Sequence, residues 1–198
     1  YEINIGDWSS DVCSSDLALR YAQLQVLPGV SAARARATKA ADSKRVPPAS
    51  GTARGMAFLS GFGSYIAMAA EVGKTSSAQA VVKKMYCAID CGIVVNPDGV
   101  ETQIQGGIAH GISATMWGEV KFVKGVPQVS NFNRYRMLKI SEMPEVAVKI
   151  VTSSASPGGV GETGVPCVAP AIANAWAKLT GTRVRTLPFY PGATMGDD

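Results

Sequence analysis

The most informative stretch of this chain is the loop at positions 156–166, which reads Ser156-Pro157-Gly158-Gly159-Val160-Gly161-Glu162-Thr163-Gly164-Val165-Pro166. Before it, residues 145–151 alternate between apolar and polar side chains, which predicts a half-buried strand. After it, residues 169–179 are small and apolar and predict a helix that stops at Gly181. Glycine at this density lets the backbone approach a ligand or another segment closely. The loop is therefore also the first candidate site.

Upstream of the loop the sequence predicts several more strands and one long helix. The predicted strands cover residues 56–58, 65–72 and 80–90, the two arms of a hairpin at 120–123 and 126–129, and a last short strand after the loop at 184–187. The predicted helix covers residues 100–117. Strands and helices interleave along the chain, so the predicted fold class is α/β, or mixed α+β.

The helix predicted over residues 100–117 combines one apolar face with an unusual amount of glycine. Its apolar residues recur at every fourth position, which places them on one side: Ile104, Ile108, Ile112 and Met116. It also contains Gly106, Gly107 and Gly111, each of which costs up to about 1 kcal/mol relative to alanine. We therefore expect another backbone or a ligand to lie very close to this helix.

The organisation of the chain is expected to change towards both ends. Residues 1–17 resemble the translation of a sequencing-library adapter and show no coherent apolar period, so we expect an artefact that lies outside the fold. Residues 18–53 are expected to be a helical and linker segment, with Ala, Arg and Lys concentrated at 32–44. Residues 54–190 are the predicted domain, and 191–198 are a tail.

Charge and cysteine content narrow the classes of function. The chain has 19 Lys and Arg and 15 Asp and Glu, a net charge of +4. The basic residues are scattered without aromatic interleaving, which argues against nucleic acid as a partner. Cys87, Cys91 and Cys167 lack the paired spacing of a zinc site and are expected to be buried, reduced thiols. No apolar run reaches the roughly 20 residues of a transmembrane helix.

Glu162 is the strongest catalytic candidate of the loop. Flanking glycines leave its carboxylate few neighbouring side chains, while Val160, Val165 and Val168 make the surroundings apolar. This pattern predicts a partly desolvated carboxylate that serves as a general base. The alternative is an ordinary solvated surface glutamate.

The stretch from Gly159 to Gly164 also satisfies the dinucleotide-binding pattern G-x-G-x-x-G. Two features count against a dinucleotide site. Pro166 and Pro170 delay the helix beyond the third glycine. About 20 residues further on, where an acidic residue is expected, Arg183 stands instead. A non-catalytic α/β dinucleotide-binding module that uses Gly159-Val160-Gly161 remains the alternative function.

Five separate motifs follow one another along the chain. They are residues 54–58, 63–67, 88–114, 159–175 and 180–188. Together they resemble the C-terminal part of the molybdopterin-binding large subunit of the xanthine dehydrogenase and aldehyde oxidase family. The resemblance is strongest to isoquinoline 1-oxidoreductase-like enzymes. It covers most of the predicted domain and implies that the chain is a fragment of a molybdenum-cofactor-binding domain.

The resemblance implies a role for individual residues. Glu162 falls on the catalytic base of the family, and Gln103 falls on a glutamine that contacts the pterin. Gly159, Val160 and Gly161 fall on loop backbone beside the cofactor. The implied cofactor is molybdopterin, as its cytosine dinucleotide, with molybdenum, and no residue of this chain is assigned as a metal ligand. His110 departs from the large apolar or aromatic residue common at its position and is expected to be a packed or hydrogen-bonded core histidine rather than a catalytic one.

The resemblance also implies what the whole protein does. It is expected to oxidise an aldehyde or N-heteroaromatic substrate with water-derived oxygen and to pass electrons to 2Fe-2S clusters on a partner iron–sulfur subunit. The missing N-terminal part of the same subunit is a further partner, so the isolated fragment is expected to be inactive. The compartment, bacterial cytoplasm or periplasm, is left open.

Overall fold

A computed structural model of the chain describes residues 48–193. The predictions for residues 1–47, which include the adapter-like segment and the helix expected at 32–44, lie outside the described residues. The same holds for the tail beyond residue 193. The architecture below is therefore that of the predicted domain and its immediate flanks.

A four-stranded sheet organises the fold. Its strands are β1 (Ala53–Gly61), β2 (Ser64–Lys74), β3 (Ala80–Asp90) and β6 (Glu145–Ile150), in the order β1-β2-β3-β6. The pairs β1–β2 and β2–β3 are antiparallel, and β3–β6 is parallel. A small hairpin consists of β4 (Phe122–Val123) and β5 (Val126–Pro127), and the helices are α1 (Pro97–Met116) and α2 (Val168–Thr180). The mixed α/β class is confirmed.

The core lies between one face of the sheet and the two helices. The four residues predicted for the apolar face of the first helix are all buried, from Ile104 and Ile108 at 0% exposed to Met116 at 3%. They pack with Ile66, Met68 and other residues of β2 and β3 and with Ile172 of α2. Burial of each such side chain contributes about 1.5–3 kcal/mol, so this cluster holds the helices on the sheet.

Gly55 explains why α2 lies directly on β1. A Cβ atom at Gly55 would come within 2.1 Å of the Ala175 backbone nitrogen and 2.4 Å of the Ala171 carbonyl oxygen. Ala171 and Ala175 are themselves buried, so helix and strand meet through their smallest residues. Asn174 adds a hydrogen bond of 3.0 Å from its side-chain amide to the carbonyl of Met56. This contact fixes the helix that follows the glycine loop.

The C-terminal segment is attached to the end of α1 through its backbone and to β3 through the Tyr190 hydroxyl, which accepts a hydrogen bond from the Ala80 N–H. The backbone N–H groups of Phe189 and Tyr190 donate to the carbonyls of Thr115 and Met116, at 2.9 and 2.8 Å. These carbonyls end the helix and lack a partner within it. The strand predicted at 184–187 is wrong: those residues form no ladder, because the segment is attached through helix-end carbonyls.

Glu71 joins the start of β1 to β2. It is 3% exposed and accepts hydrogen bonds from Arg54 at 2.6 Å, from the backbone of Ala49 at 3.1 Å and from the Thr52 hydroxyl at 3.2 Å. Burial alone raises the pKa of the Glu71 carboxyl, but these hydrogen bonds, that of Arg54 foremost, bring it below its usual value. The cluster is therefore stabilising only while Glu71 is ionised.

Between residues 48 and 193, no helix is both long and apolar enough to cross a membrane.

Candidate functional site

The glycine loop leaves β6 along the carboxyl end of β3. The backbone N–H of Val151 donates to the Ile89 carbonyl at 2.8 Å, and that of Gly158 donates to the Cys91 carbonyl at 2.9 Å. Between them, Gly92 has a φ of 74°, and a Cβ there would lie 2.2 Å from the Ser156 carbonyl oxygen. Only glycine fits at position 92, where these two segments pass one another. The segment after β3 and the segment after β6 are therefore held together where the glycine loop begins.

The loop next meets the β1–β2 turn. The Gly159 N–H donates to the Phe62 carbonyl at 2.7 Å, and the Ser64 hydroxyl donates to the Gly159 carbonyl at 2.7 Å. Ser64 is 2% exposed. A Cβ at Gly158 would lie 2.4 Å from the Gly63 carbonyl oxygen. Two predicted cofactor residues, Gly159 and Gly161, thus belong to a loop whose beginning is fixed by backbone contacts.

The end of the loop packs on α1. A Cβ added to Gly107 would be 3.1 Å from the Gly164 Cα, and one added to Gly164 would be 3.1 Å from the Ile104 carbonyl oxygen. At Gly111 a Cβ would be 2.7 Å from the side chain of Val168. The expectation of a close neighbour is confirmed for Gly107 and Gly111, and this neighbour is the chain itself. Of the glycines on this helix, only Gly106 is exposed.

Glu162 lies between the exposed Gly161 and the buried Thr163. Its backbone carbonyl accepts a hydrogen bond from the Val165 N–H at 3.0 Å, which closes a tight turn. The side chain is exposed, so the expectation of a desolvated carboxylate is wrong for this chain taken alone. Val160 packs on the core and Val168 is buried within it, so neither covers the carboxylate. Desolvation of Glu162 requires a group from outside the described residues.

Gln103 lies on the exposed side of α1, immediately before Ile104. Gly106 and His110 are exposed on the same side, three and seven positions further on. The prediction of a core histidine is therefore wrong, because the inward positions of this helix are taken by Ile108 and Ile112. Since Ile104 touches Gly164, the structure brings the helix that carries Gln103 against the end of the loop that carries Glu162.

Three features beside this contact are suited to a bulky polar ligand. Thr163 is 1% exposed, and its hydroxyl has no hydrogen-bond partner among the described residues. A buried hydroxyl without a partner is costly, which favours a partner that arrives from elsewhere. Cβ atoms at Gly106 and Gly161 would meet nothing described within 4 Å. An open glycine on each element and an unpaired hydroxyl fit a pterin-type cofactor. Sequence patterns gave no signal for Thr163.

The cysteines do not form part of this site. Cys87, Cys91 and Cys167 are free thiols, all buried. Burial raises the pKa of the Cys167 thiol to about 12 and also raises those of Cys87 and Cys91. Such thiols are poor nucleophiles and poor metal ligands at neutral pH. Over residues 48–193, no group of three or more His, Cys, Asp and Glu side chains is arranged to hold a metal ion.

A dinucleotide site of the G-x-G-x-x-G type requires a helix that begins on the last glycine and a sheet of parallel strands. Here α2 begins at Val168, beyond Gly164, and packs on β1, at the opposite edge of the sheet from β6. Only β3 and β6 pair in parallel in the described sheet. The loop therefore lacks the geometry that would direct a helix N-terminus at a pyrophosphate.

Comparisons with known proteins agree with the fold and with the predicted resemblance. The chain is 35% identical over 175 residues to isoquinoline 1-oxidoreductase subunit beta of Brevundimonas diminuta, covering 87% of this chain and 22% of that protein. It is 33% identical to a membrane-bound aldehyde dehydrogenase, labelled pyrroloquinoline-quinone, of Gluconacetobacter polyoxogenes, covering 61% of this chain and 16% of the relative. The aldehyde oxidoreductase of Desulfovibrio gigas matches in structure with a TM-score of 0.53 and 26% identity, covering 65% of this chain and 15% of that one.

The chain thus spans about a fifth of the length of the first of these relatives. Residues 26–144 match a family model described as a molybdopterin cofactor-binding domain. The matched stretch includes the sheet strands β1 to β3 and the helix with Gln103, and it ends just before β6. Because this stretch covers more than half of the sequence, the chain belongs to the molybdopterin cofactor-binding domain family.

Proposed function

We propose that this chain is part of a molybdenum hydroxylase that oxidises an aldehyde or an N-heteroaromatic substrate with water-derived oxygen. Residues 54–190 are its fragment of the cofactor-binding domain. The observation that carries the proposal is the contact of Gly107 with Gly164. This contact places the exposed Glu162 and the helix of Gln103 beside one another in a chain that belongs to a molybdopterin-binding family.

In this proposal the chain's residues hold the cofactor from two sides. Gln103 offers an amide that donates to and accepts from the pterin. Gly159, Val160 and Gly161 offer loop backbone, and the open side of Gly161 leaves room for a bulky group. The cofactor form is the cytosine dinucleotide. When bound, it supplies the redox centre that takes two electrons from the substrate carbon. The electrons then pass to 2Fe-2S clusters on a partner subunit.

Glu162 is the catalytic base. Its carboxylate oxygen takes the proton from the water-derived hydroxyl as that oxygen attacks the electron-poor carbon of the substrate, and the hydrogen of that carbon leaves as hydride, which carries the two electrons to the redox centre. The glycine on one side and the turn closed by Val165 on the other hold the carboxylate outward. The missing N-terminal part of the subunit supplies the remaining walls and excludes water, which strengthens a buried base.

Metal and cofactor analysis of the full-length subunit, produced with its iron–sulfur partner, tests the proposal. We expect about one molybdenum and one molybdopterin cytosine dinucleotide per subunit, and reduction of the loaded protein by an aldehyde or an N-heterocycle. A protein that instead holds pyrroloquinoline quinone, the group for which the Gluconacetobacter polyoxogenes relative is named, contradicts the proposal. So does a protein that holds neither group when cofactor synthesis is active in the same cells.

A further inference from the structure

The β1–β2 turn carries an aromatic residue in an unfavourable conformation. Gly61 pairs with Ser64, so Phe62 and Gly63 form a two-residue hairpin connection. Both have positive φ angles, 57° and 74°. Turns of this kind favour Asn or Gly at the first position because a Cβ atom crowds the backbone there. The turn itself therefore gives no reason for phenylalanine at position 62.

Burial gives no reason either, because Phe62 is 58% exposed in the described structure. A large aromatic side chain that is strained and also exposed stabilises neither the turn nor the core. Strained residues of this type cluster at active sites, ligand clamps and switch regions. The position of Phe62 relative to the glycine loop shows which ligand it would meet.

Phe62 stands directly against the candidate site. Its carbonyl accepts the hydrogen bond from Gly159, and a Cβ on Gly159 would lie 3.2 Å from the Phe62 Cβ. Because Gly159 has no side chain, nothing of that residue separates the base of the aromatic side chain from the loop backbone. The turn is tied to the loop on the other side by Ser64. The position of Phe62 is thus fixed relative to Gly159.

We propose that Phe62 is a binding residue of this site and that its ring contacts a planar heteroaromatic ring held beside Gly159, Val160 and Gly161. The inference rests on the proposed function, since both the pterin of the cofactor and an N-heteroaromatic substrate offer such a ring. Aromatic rings pack face to face with an offset, or edge to face, and gain from doing so beyond the area they bury. Phe62 is the strained residue that presents this surface.

The substitution Phe62→Asn separates binding from folding. Asn tolerates the positive φ and keeps the backbone carbonyl that accepts from Gly159, so the melting temperature of the cofactor-free subunit should rise. In the full-length subunit with its iron–sulfur partner, the same variant should lose binding. Molybdopterin content that falls roughly threefold to tenfold assigns the pterin as the ring contacted. Unchanged content with a KM raised by a similar factor assigns the substrate.

Phe62→Tyr is the matched control because it keeps the ring and the strain. It should retain both cofactor content and KM. A Phe62→Asn protein with normal cofactor content, KM and kcat overturns the inference, and so does a Phe62→Tyr protein as impaired as Phe62→Asn. Both results leave the proposed function intact when the wild-type subunit is loaded. A wild-type subunit without molybdopterin overturns the proposed function and this inference together.

Discussion

Gly107 and Gly164 meet with their backbones in contact, since a Cβ on Gly107 would lie 3.1 Å from the Gly164 Cα. Helix α1 and the glycine loop therefore touch at the one point where neither has a side chain. Gln103 lies one turn before this contact on α1, and Glu162 lies two residues before it on the loop. The separation of these two candidate residues is thus set by rigid backbone packing.

Gly106 and Gly107 of α1 are neighbours, but substitution by valine should change the free energy of unfolding differently at the two positions. Gly107→Val places carbon atoms against the Gly164 backbone and should lower the free energy of unfolding by about 1–3 kcal/mol. Gly106→Val enters open space and should leave the stability of the cofactor-free protein unchanged or slightly higher. Urea denaturation of both variants measures this difference.

Cofactor content provides the second half of that test. In the loaded full-length protein, Gly106→Val should lower molybdopterin content although its fold is intact, because the added side chain fills space that the cofactor needs. Equal stability of the two valine variants would contradict the packing described for Gly107. Full cofactor content in Gly106→Val would remove Gly106 from the site.

Replacement of Glu162 by Gln should slow substrate oxidation without loss of cofactor. The amide has nearly the same volume but takes no proton, so reduction of the loaded enzyme should slow roughly 10²–10⁴-fold. Rapid mixing at saturating substrate measures this step. Glu119→Gln, beyond the far end of α1, is the matched control and should reduce at the wild-type rate. A near-normal rate in a loaded Glu162→Gln enzyme excludes Glu162 as the base.

Glu71→Gln should cost stability in a pH-dependent way. The Glu71 carboxyl has a folded pKa below its usual value of 4.5, so its contribution is complete above that value and is lost as pH falls through the folded pKa. At neutral pH the variant should lose about 3 kcal/mol, because Arg54 is left beside a neutral amide. The difference between the two proteins should shrink as the pH falls through the folded pKa of Glu71. Glu145→Gln, in an exposed pair with Lys84, is the matched control and should change the stability little at neutral pH.

Thr163→Val should reveal whether its buried hydroxyl acquires a partner. In the cofactor-free protein the substitution should be neutral or stabilising, because an unpaired polar group is replaced by a methyl group of similar shape. In the loaded protein the same change should lower cofactor retention, and Thr163→Ser should largely restore it. Thermal unfolding and molybdenum content of the two variants report these effects separately. Unchanged retention in the valine variant would show that the site makes no use of this hydroxyl.

The 198-residue chain produced alone should hold no molybdenum and show no hydroxylase activity. Its described part leaves large apolar side chains uncovered, among them Ile140 at 97%, Phe132 at 87% and Phe122 at 67% exposed. Exposed apolar surface of this kind needs a partner, which the rest of the subunit provides in our proposal. Metal analysis of the purified chain tests this, with the full-length subunit as the positive control. Stoichiometric molybdenum in the chain alone would show that the other walls are unnecessary for retention.

Sequence patterns predicted the elements well where one face alone is buried. The alternation at 145–151 and the four-residue spacing from Ile104 to Met116 correspond to β6 and α1. The failures have local physical reasons. Residues 184–187 were predicted to be a strand from their β-forming composition, but their neighbours hydrogen-bond to the end of α1. His110 was assigned to the core although helical periodicity places it opposite Ile108 and Ile112.

Residues of the candidate site could be predicted from the sequence, but the contacts that position them could not. The glycine pattern identified the loop and the resemblance identified Glu162, but neither indicated that Phe62 and Ser64 would hold Gly159. Those contacts join positions far apart in the sequence, and three of the four hydrogen-bonding groups involved are backbone groups. Thr163 gave no signal because a threonine in a loop is ordinarily solvated, whereas here the residue is 1% exposed.

The hydrogen bond from Ser64 to Gly159 spans 95 positions of the chain, and this bears on how the protein is made in the cell. A ribosome adds about 5–20 residues each second, so β1 and β2 leave the exit tunnel several seconds before the loop exists. During that interval the β1–β2 turn lacks its hydrogen bonds to Gly159. Both the turn and the loop of the candidate site are present only after residues 156–166 have been synthesised. A cofactor can therefore meet the turn and the loop together only late in the synthesis of this domain or after it.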